Sequence, residues 1–441
     1  MTESNDFYST LQRLLPFFEK NRFNLVTGSF LLFIFMAVRG YLEFGFFNRD
    51  PLTGRIFLHT YNVFAAALAT YLAFLAGTFI LVHFSKVKPR KVANTVLIGM
   101  AFLVLGPLID RFIFGRTEGY EFIWVGDVRG AGIGLIVQLM IICFMGALYV
   151  VVRTESPKHF FFTFLSLFSI MAGIGVLPYA IYNGLFPYFG DDATQAAAAI
   201  LVSVFLVIFA AILLKLGDEK VYDSLRKNMR PFSTLYFILV ALIGIGAAGR
   251  MLFAFNEDAL VTLIVDHVPF ALLVFASVAF AAQSGFMLND IYSLESSSER
   301  NPLKSGVLTK SRYRQLALVM AGLAAAFSIT LGTLPVVLTL ILMGLALANG
   351  VFPIQSAKRF AAPLISGAQS FVTFFIGYFT THQLKSHMIG EFEVEYPTLA
   401  SYTVPFSVIL VSVLIFVLGA VLLSKSVSFK TRSTAKADTR G

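Results

Sequence analysis

The residues best suited to chemistry concentrate between Phe286 and Arg314, in the stretch FMLNDIYSLESSSERNPLKSGVLTKSRYR. Asn289 and Asp290 follow directly on the apolar run AFAAQSGFML, so they sit at the edge of a membrane-embedded helix. A carboxylate at that depth is expensive and is by default a functional residue. Asp290, with Glu295 and Glu299 nearby, offers hard oxygen ligands to a divalent cation, while Arg300, Lys304, Lys310, Arg312 and Arg314 offer positive charge to phosphate. Carboxylate, Mg2+ and phosphate go together because Mg2+ keeps its waters and takes only one or two carboxylates beside phosphate oxygens. Two more basic places recur before apolar runs: Arg230 ahead of Pro231 in RKNMRPFSTLYF, and Lys358-Arg359 in NGVFPIQSAKRF. The plainer alternative makes Asn289 and Asp290 a helix-end cap and Lys358-Arg359 a topology anchor.

Taken together, these three segments resemble the UbiA superfamily of intramembrane prenyltransferases, over roughly residues 226–425. NDIYSLESSSERNPLKSG is similar to that family's first aspartate-rich motif, Asn-Asp-x-x-Asp-x-x-x-Asp, followed by a basic stretch and a Pro-Leu-x-x-Gly turn; Asn289, Asp290, Pro302, Leu303, Ser305 and Gly306 match. The resemblance implies an all-helical bundle around a lipid-accessible cavity. It implies a transferase that moves a polyprenyl group from its diphosphate to an aromatic or lipid acceptor at the cytoplasmic face. Asn289 and Asp290 would be the catalytic, Mg2+-holding pair, and Arg230, Lys304, Lys358 and Arg359 would contact the diphosphate. The motif is degenerate. Its later aspartate positions fall on Ser293 and Ser297, which share a helix face with Asp290 at i, i+3, i+7. Glu295 and Glu299 lie about 140° and 180° around the helix and do not restore the comb of carboxylates. The second aspartate-rich motif is represented by one acid, Asp438. These departures support an alternative without metal: a non-catalytic protein that binds or moves a lipid or isoprenoid, or a membrane subunit with a membrane-protein partner.

Other candidates have simpler readings. Gly244, Gly246 and Gly249 form a GxGxxG string, but no strand precedes it, so close helix packing replaces dinucleotide binding. Asp110 and Arg111 read as a self-satisfied interfacial pair, and Arg39 and Glu43 as an i, i+4 pair. Asp266 and His267 are ionisable residues near the outer end of a span. His382 and His387 flank an outer loop, and no HExxH pair, P-loop or Ser-His-Asp grouping appears.

The elements that must position these residues are membrane helices. Of 441 residues 57% are hydrophobic and 13% charged, against about 25% charged in soluble domains, which excludes a soluble globular or disordered chain. The single cysteine, Cys143, excludes a disulfide framework. Twelve apolar stretches are long enough to span: 24–46, 61–84, 94–114, 131–152, 160–182, 193–215, 231–254, 259–287, 315–332, 333–352, 360–380 and 400–424. Gly332, Thr333 and Pro335 predict a tight turn between the ninth and tenth. With the termini and even-numbered connections on one side, 26 of the 34 Lys and Arg fall there, which predicts both termini in the cytoplasm. The net charge of +9 is therefore a topology signal and anionic-lipid contact, with no nucleic acid partner. The expected organisation is an interfacial segment at 1–22, a six-span unit at 23–216, a six-span UbiA-like unit at 217–425 and a basic flexible tail at 426–441. No removable signal peptide is expected, and the whole suits an integral, multi-pass protein of a prokaryotic cytoplasmic membrane.

Overall fold

The computed structural model describes residues 2–20, 25–40, 60–112, 133–185, 191–252, 257–292, 301–329, 331–351, 355–389 and 404–438. Every regular element among them is a helix. Six helices contain windows long and apolar enough to cross a membrane: Leu68–Ser85, Ile136–Thr154, Ala199–Gly217, Pro231–Ala248, Val268–Ile291 and Ala361–Thr381. Shorter apolar helical stretches run over Thr27–Met36, Lys158–Ile174, Leu334–Ala348 and Phe406–Leu422. The described residues are thus all-helical, with helices apolar and long enough for an integral membrane protein. The chain divides into two compact units, Met1–Asp223 and Ser224–Gly441.

The first unit contains α1 (Thr2–Glu19), α2 (Leu25–Gly40), α3 (Thr60–Ser85), α4 (Pro89–Met100), α5 (Leu105–Phe112), α6 (Ile133–Thr154), α7 (Lys158–Leu185) and α8 (Asp191–Gly217). α3 is its centre and packs against α6, α7 and α8. The core joins Ile80, Leu81, Val92, Cys143, Val150, Leu167 and Leu213, with Leu15 of α1 inserted beside them. The expected third span, 94–114, is not one helix: a 3-10 turn, Ala101–Val104, separates α4 from α5. Two links are tight for the same reason. Lys86 and Glu155 take φ of 56° and 54° just past α3 and α6. Their N–H groups donate to Val82 O at 2.9 Å and Val151 O at 2.7 Å, capping the last turn. Pro89 then opens α4 at a position where its missing N–H is no loss.

α9 (Glu219–Asn228) carries the division between the units, and the second unit continues with α10 (Pro231–Leu252), α11 (Glu257–Tyr292), α12 (Lys310–Ile329), α13 (Thr333–Val351), α14 (Gln355–Ile389) and α15 (Phe406–Asp438). α14 is the central helix, packed on α10, α11, α13 and α15. Glycine permits two of these crossings. A Cβ on Gly244 would lie 2.0 Å from Phe374 O, and one on Gly377 would lie 2.1 Å from Ala241 O, so α10 and α14 meet backbone to backbone. Between α14 and α15, a Cβ on Gly367 would lie 2.8 Å from Phe416 O, and one on Gly419 would run into the Ser370 side chain. The expected turn between α12 and α13 is present, with Gly332 at φ 112°. α15 continues as helix to Asp438, through the stretch expected to be a flexible tail. Nothing in KSVSFKTRSTAKAD is a proline or glycine that would stop it.

Candidate functional site

The site is built where α11 ends and α10 begins. Asp290 lies in the last turn of α11, where the helix dipole is negative and a carboxylate is disfavoured. Arg230 precedes Pro231 and accepts the first hydrogen bond of α10 from Thr234 N–H at 3.0 Å, so its cation sits at a positive helix end. Each charge is misplaced on its own helix, and each is the remedy for the other. Arg230 Nη2 donates to Asp290 Oδ1 at 2.5 Å. The Asp290 side chain is 2% exposed and that of Arg230 30%.

Two neutral groups close the remaining oxygen. Asn228 Nδ2 donates to Asp290 Oδ2 at 3.0 Å and to Tyr313 Oη at 2.7 Å. Tyr313 Oη–H donates to Asp290 Oδ2 at 3.3 Å. Tyr313 arrives there by helix register. Ser277 and Ser284 donate to Ala324 O and Ala317 O, which fixes α11 antiparallel to α12 and brings Tyr313 within a turn of Asp290. Burial first, and the Asp290 charge second, push the Tyr313 phenol above its ordinary range, so it remains a donor. Deeper in the bundle, Gln283 Nε2 donates to Thr234 Oγ1 at 2.7 Å and ties α11 to α10. The Arg230 guanidinium lies 5.1 Å from the centre of the Phe286 ring.

Of the residues singled out by sequence, Asp290 and Arg230 come together. Asn289 is half-buried, one residue and about 100° around α11 from Asp290. Lys304 is exposed on the turn after the α11–α12 link. That turn is ordered by Asn301 Oδ1, which accepts from Leu303 N–H at 2.9 Å, and by Gly306 at φ 69°, the left-handed position that its Pro-Leu-x-x-Gly pattern needs. Asn301 Nδ2 is buried without a hydrogen-bond partner. Ser293, Ser297, Glu295, Glu299 and Arg300 lie outside the described residues. Lys358 and Arg359 fall in α14, but their side chains are outside the description, as are those of Asp110, Arg111, Asp266, His267, His382 and His387. Sequence reasoning missed Asn228 and Tyr313. The signal for Tyr313 was its place as the one aromatic in KSRYR at a helix start; Asn228 carried none beyond its nearness to Arg230.

Mg2+ does not fit the carboxylate as it stands. Asp290 is a single acid whose oxygens are already taken by a guanidinium, an amide and a phenol. Among the described residues no group of three or more His, Cys, Asp or Glu is placed to hold a metal. What remains chemically available is the outer edge of Arg230, which has N–H groups beyond the one spent on Asp290.

No protein-family model, curated protein or solved structure matches the chain.

Proposed function

We propose that this is a non-catalytic, UbiA-like membrane protein whose second unit binds an isoprenoid or other lipid by its anionic head group, at the cytoplasmic face of a prokaryotic membrane. One observation carries the reading: Asp290 is spent on Arg230. A buried carboxylate held by three donors acts as a positioning residue. It fixes one edge of a guanidinium, and the Phe286 ring supports its plane. The partly exposed remainder of Arg230 is suited to a phosphate oxygen, which the planar fork of arginine matches well. Membrane lipid is then the partner, with an apolar tail against the helices, and neither Mg2+ nor another protein is required for binding.

The test is equilibrium binding of a labelled polyprenyl diphosphate to the purified protein, with Mg2+ and with EDTA, while free diphosphate is assayed. Binding that persists in EDTA, without diphosphate release, and that falls by about tenfold or more in Arg230→Gln supports the proposal. Mg2+-dependent release of diphosphate that stops in Asp290→Asn would restore the prenyl-transfer expectation instead.

A further inference from the structure

A second ionic cluster, in the first unit, is built around Glu19, the last residue of α1, which is 5% exposed. Tyr149 Oη donates to Glu19 Oε1 at 2.9 Å, and Arg153 Nε donates to the same oxygen at 2.6 Å. Arg153 Nη2 pairs with Glu19 Oε2, and Lys91 Nζ lies 3.9 Å from that oxygen. Tyr149 and Arg153 are four residues apart on α6 and share a face; Lys91 comes from the first turn of α4, which packs on α6. The donors therefore belong to the packed body of the unit, whereas the acceptor arrives on the N-terminal helix.

Three features of this cluster suit a phosphate. A guanidinium fork, a phenol and an ammonium aimed at one point match tetrahedral oxygens as well as a carboxylate. Arg153 and Lys91 carry two positive charges against the one negative charge of Glu19, so the filled site stays net positive. Its height is right as well: Arg153 is one residue from the end of the long apolar window Ile136–Thr154, where a crossing helix leaves hydrocarbon. α1 turns Leu14 and Phe17 outward, 47% and 53% exposed, while Leu15 is buried in the core. It has the character of an interfacial helix docked by one face. The side chains of Arg153 and Lys91 are 31% and 58% exposed, so a second anion can reach them.

We infer that Arg153, Tyr149 and Lys91 form a binding site for the phosphate of a membrane lipid, which Glu19 fills from within the chain as a carboxylate stand-in. A phosphomonoester, whose charge approaches −2, balances the two cations better than Glu19 does. Its binding displaces Glu19 and frees the end of α1, which then stays attached through Leu15 and through Gln12 Nε2, a donor to Glu155 Oε1 at 2.9 Å.

The experiment titrates full-length protein in detergent with dioctanoyl phosphatidic acid, dioctanoyl phosphatidylcholine and inorganic phosphate. Glu19→Gln is expected to bind phosphatidic acid at least about tenfold more tightly than wild type, and Glu19→Gln with Arg153→Gln is expected to lose the gain. Saturation by phosphatidic acid at lower concentration than by inorganic phosphate assigns the anion to a lipid; equal saturation keeps the phosphate site and assigns it to soluble phosphate. No gain in Glu19→Gln, or a gain independent of Arg153, overturns the inference. If Glu19→Gln fails to fold, a spin label on Lys20→Cys, exposed beside Glu19 at the end that is freed, decides; Cys143 is buried and leaves that position to react. The label becomes more mobile with phosphatidic acid and unchanged with phosphatidylcholine, and equal spectra in both overturn the inference. This site is independent of Arg230, so it stands or falls separately from the proposal for the second unit.

Discussion

At the scale of single residues, the pairing of Arg230 with Asp290 sets the cost of removing the cation. Arg230→Ala strands a carboxylate that is 2% exposed, a loss of about 3–5 kcal/mol, read as a lower unfolding midpoint in detergent. Tyr313→Phe removes one donor to that carboxylate and is expected to cost about 1.5–3 kcal/mol by the same assay. Tyr313 also gives a pH dependence with a definite sign. Its phenol holds a proton more tightly folded than unfolded, chiefly through burial. That contribution is fully present below the ordinary phenol value of about 10 and is lost as pH rises through the raised folded value. Unfolding midpoints of wild type should therefore fall above about pH 10, and Tyr313→Phe should lose this part of the slope. The sequence made Asp290 and Arg230 visible because charge beside an apolar run is conspicuous. It hid Asn228 and Tyr313, whose roles depend on helix register, and it read Glu19 only as one charge of the interfacial segment at 1–22.

At the scale of helices, the Gly244 string behaves as packing chemistry. Gly244→Ala drives a Cβ toward the Phe374 carbonyl, an atom of another backbone that has no rotamer to escape into. Gly246 has nothing within 4 Å of its would-be Cβ. The account predicts that Gly244→Ala destabilises α10 against α14, whereas Gly246→Ala is neutral or stabilises by up to about 1 kcal/mol through helix propensity. Paired thermal unfolding of the two variants checks this, and equal effects would contradict it. The packing role of Gly244 was legible because no strand precedes the string; Gly246 takes no part in it. The division of the expected third span into α4, a 3-10 turn and α5 was not, since the apolar composition of 94–114 continues across the break. The helical course of α15 to Asp438 was not anticipated for the opposite reason: a polar, basic stretch was read as a flexible tail although no helix breaker is present.

At the scale of the whole molecule, composition alone identified a helical membrane protein, because 13% charge cannot clothe a soluble surface of 441 residues. Among the described residues, six helices long and apolar enough to span agree with that class. The resemblance to prenyltransferases rested on three short segments, and the geometry gives Asp290 of the first of them a partner within the protein. Addition of EDTA is accordingly expected to leave the unfolding midpoint and any co-purifying lipid unchanged, measured by thermal unfolding and lipid mass spectrometry. The central claim is that Asp290 serves Arg230 and not a metal. The most direct measurement is a double-mutant cycle on unfolding free energy with Arg230→Gln, Asp290→Asn and the double variant, each in Mg2+ and in EDTA. The account predicts that the double variant is more stable than the two single losses sum to, by about 1–3 kcal/mol and identically in both buffers. Additive losses, or a stabilisation by Mg2+ that vanishes with Asp290→Asn, would contradict it.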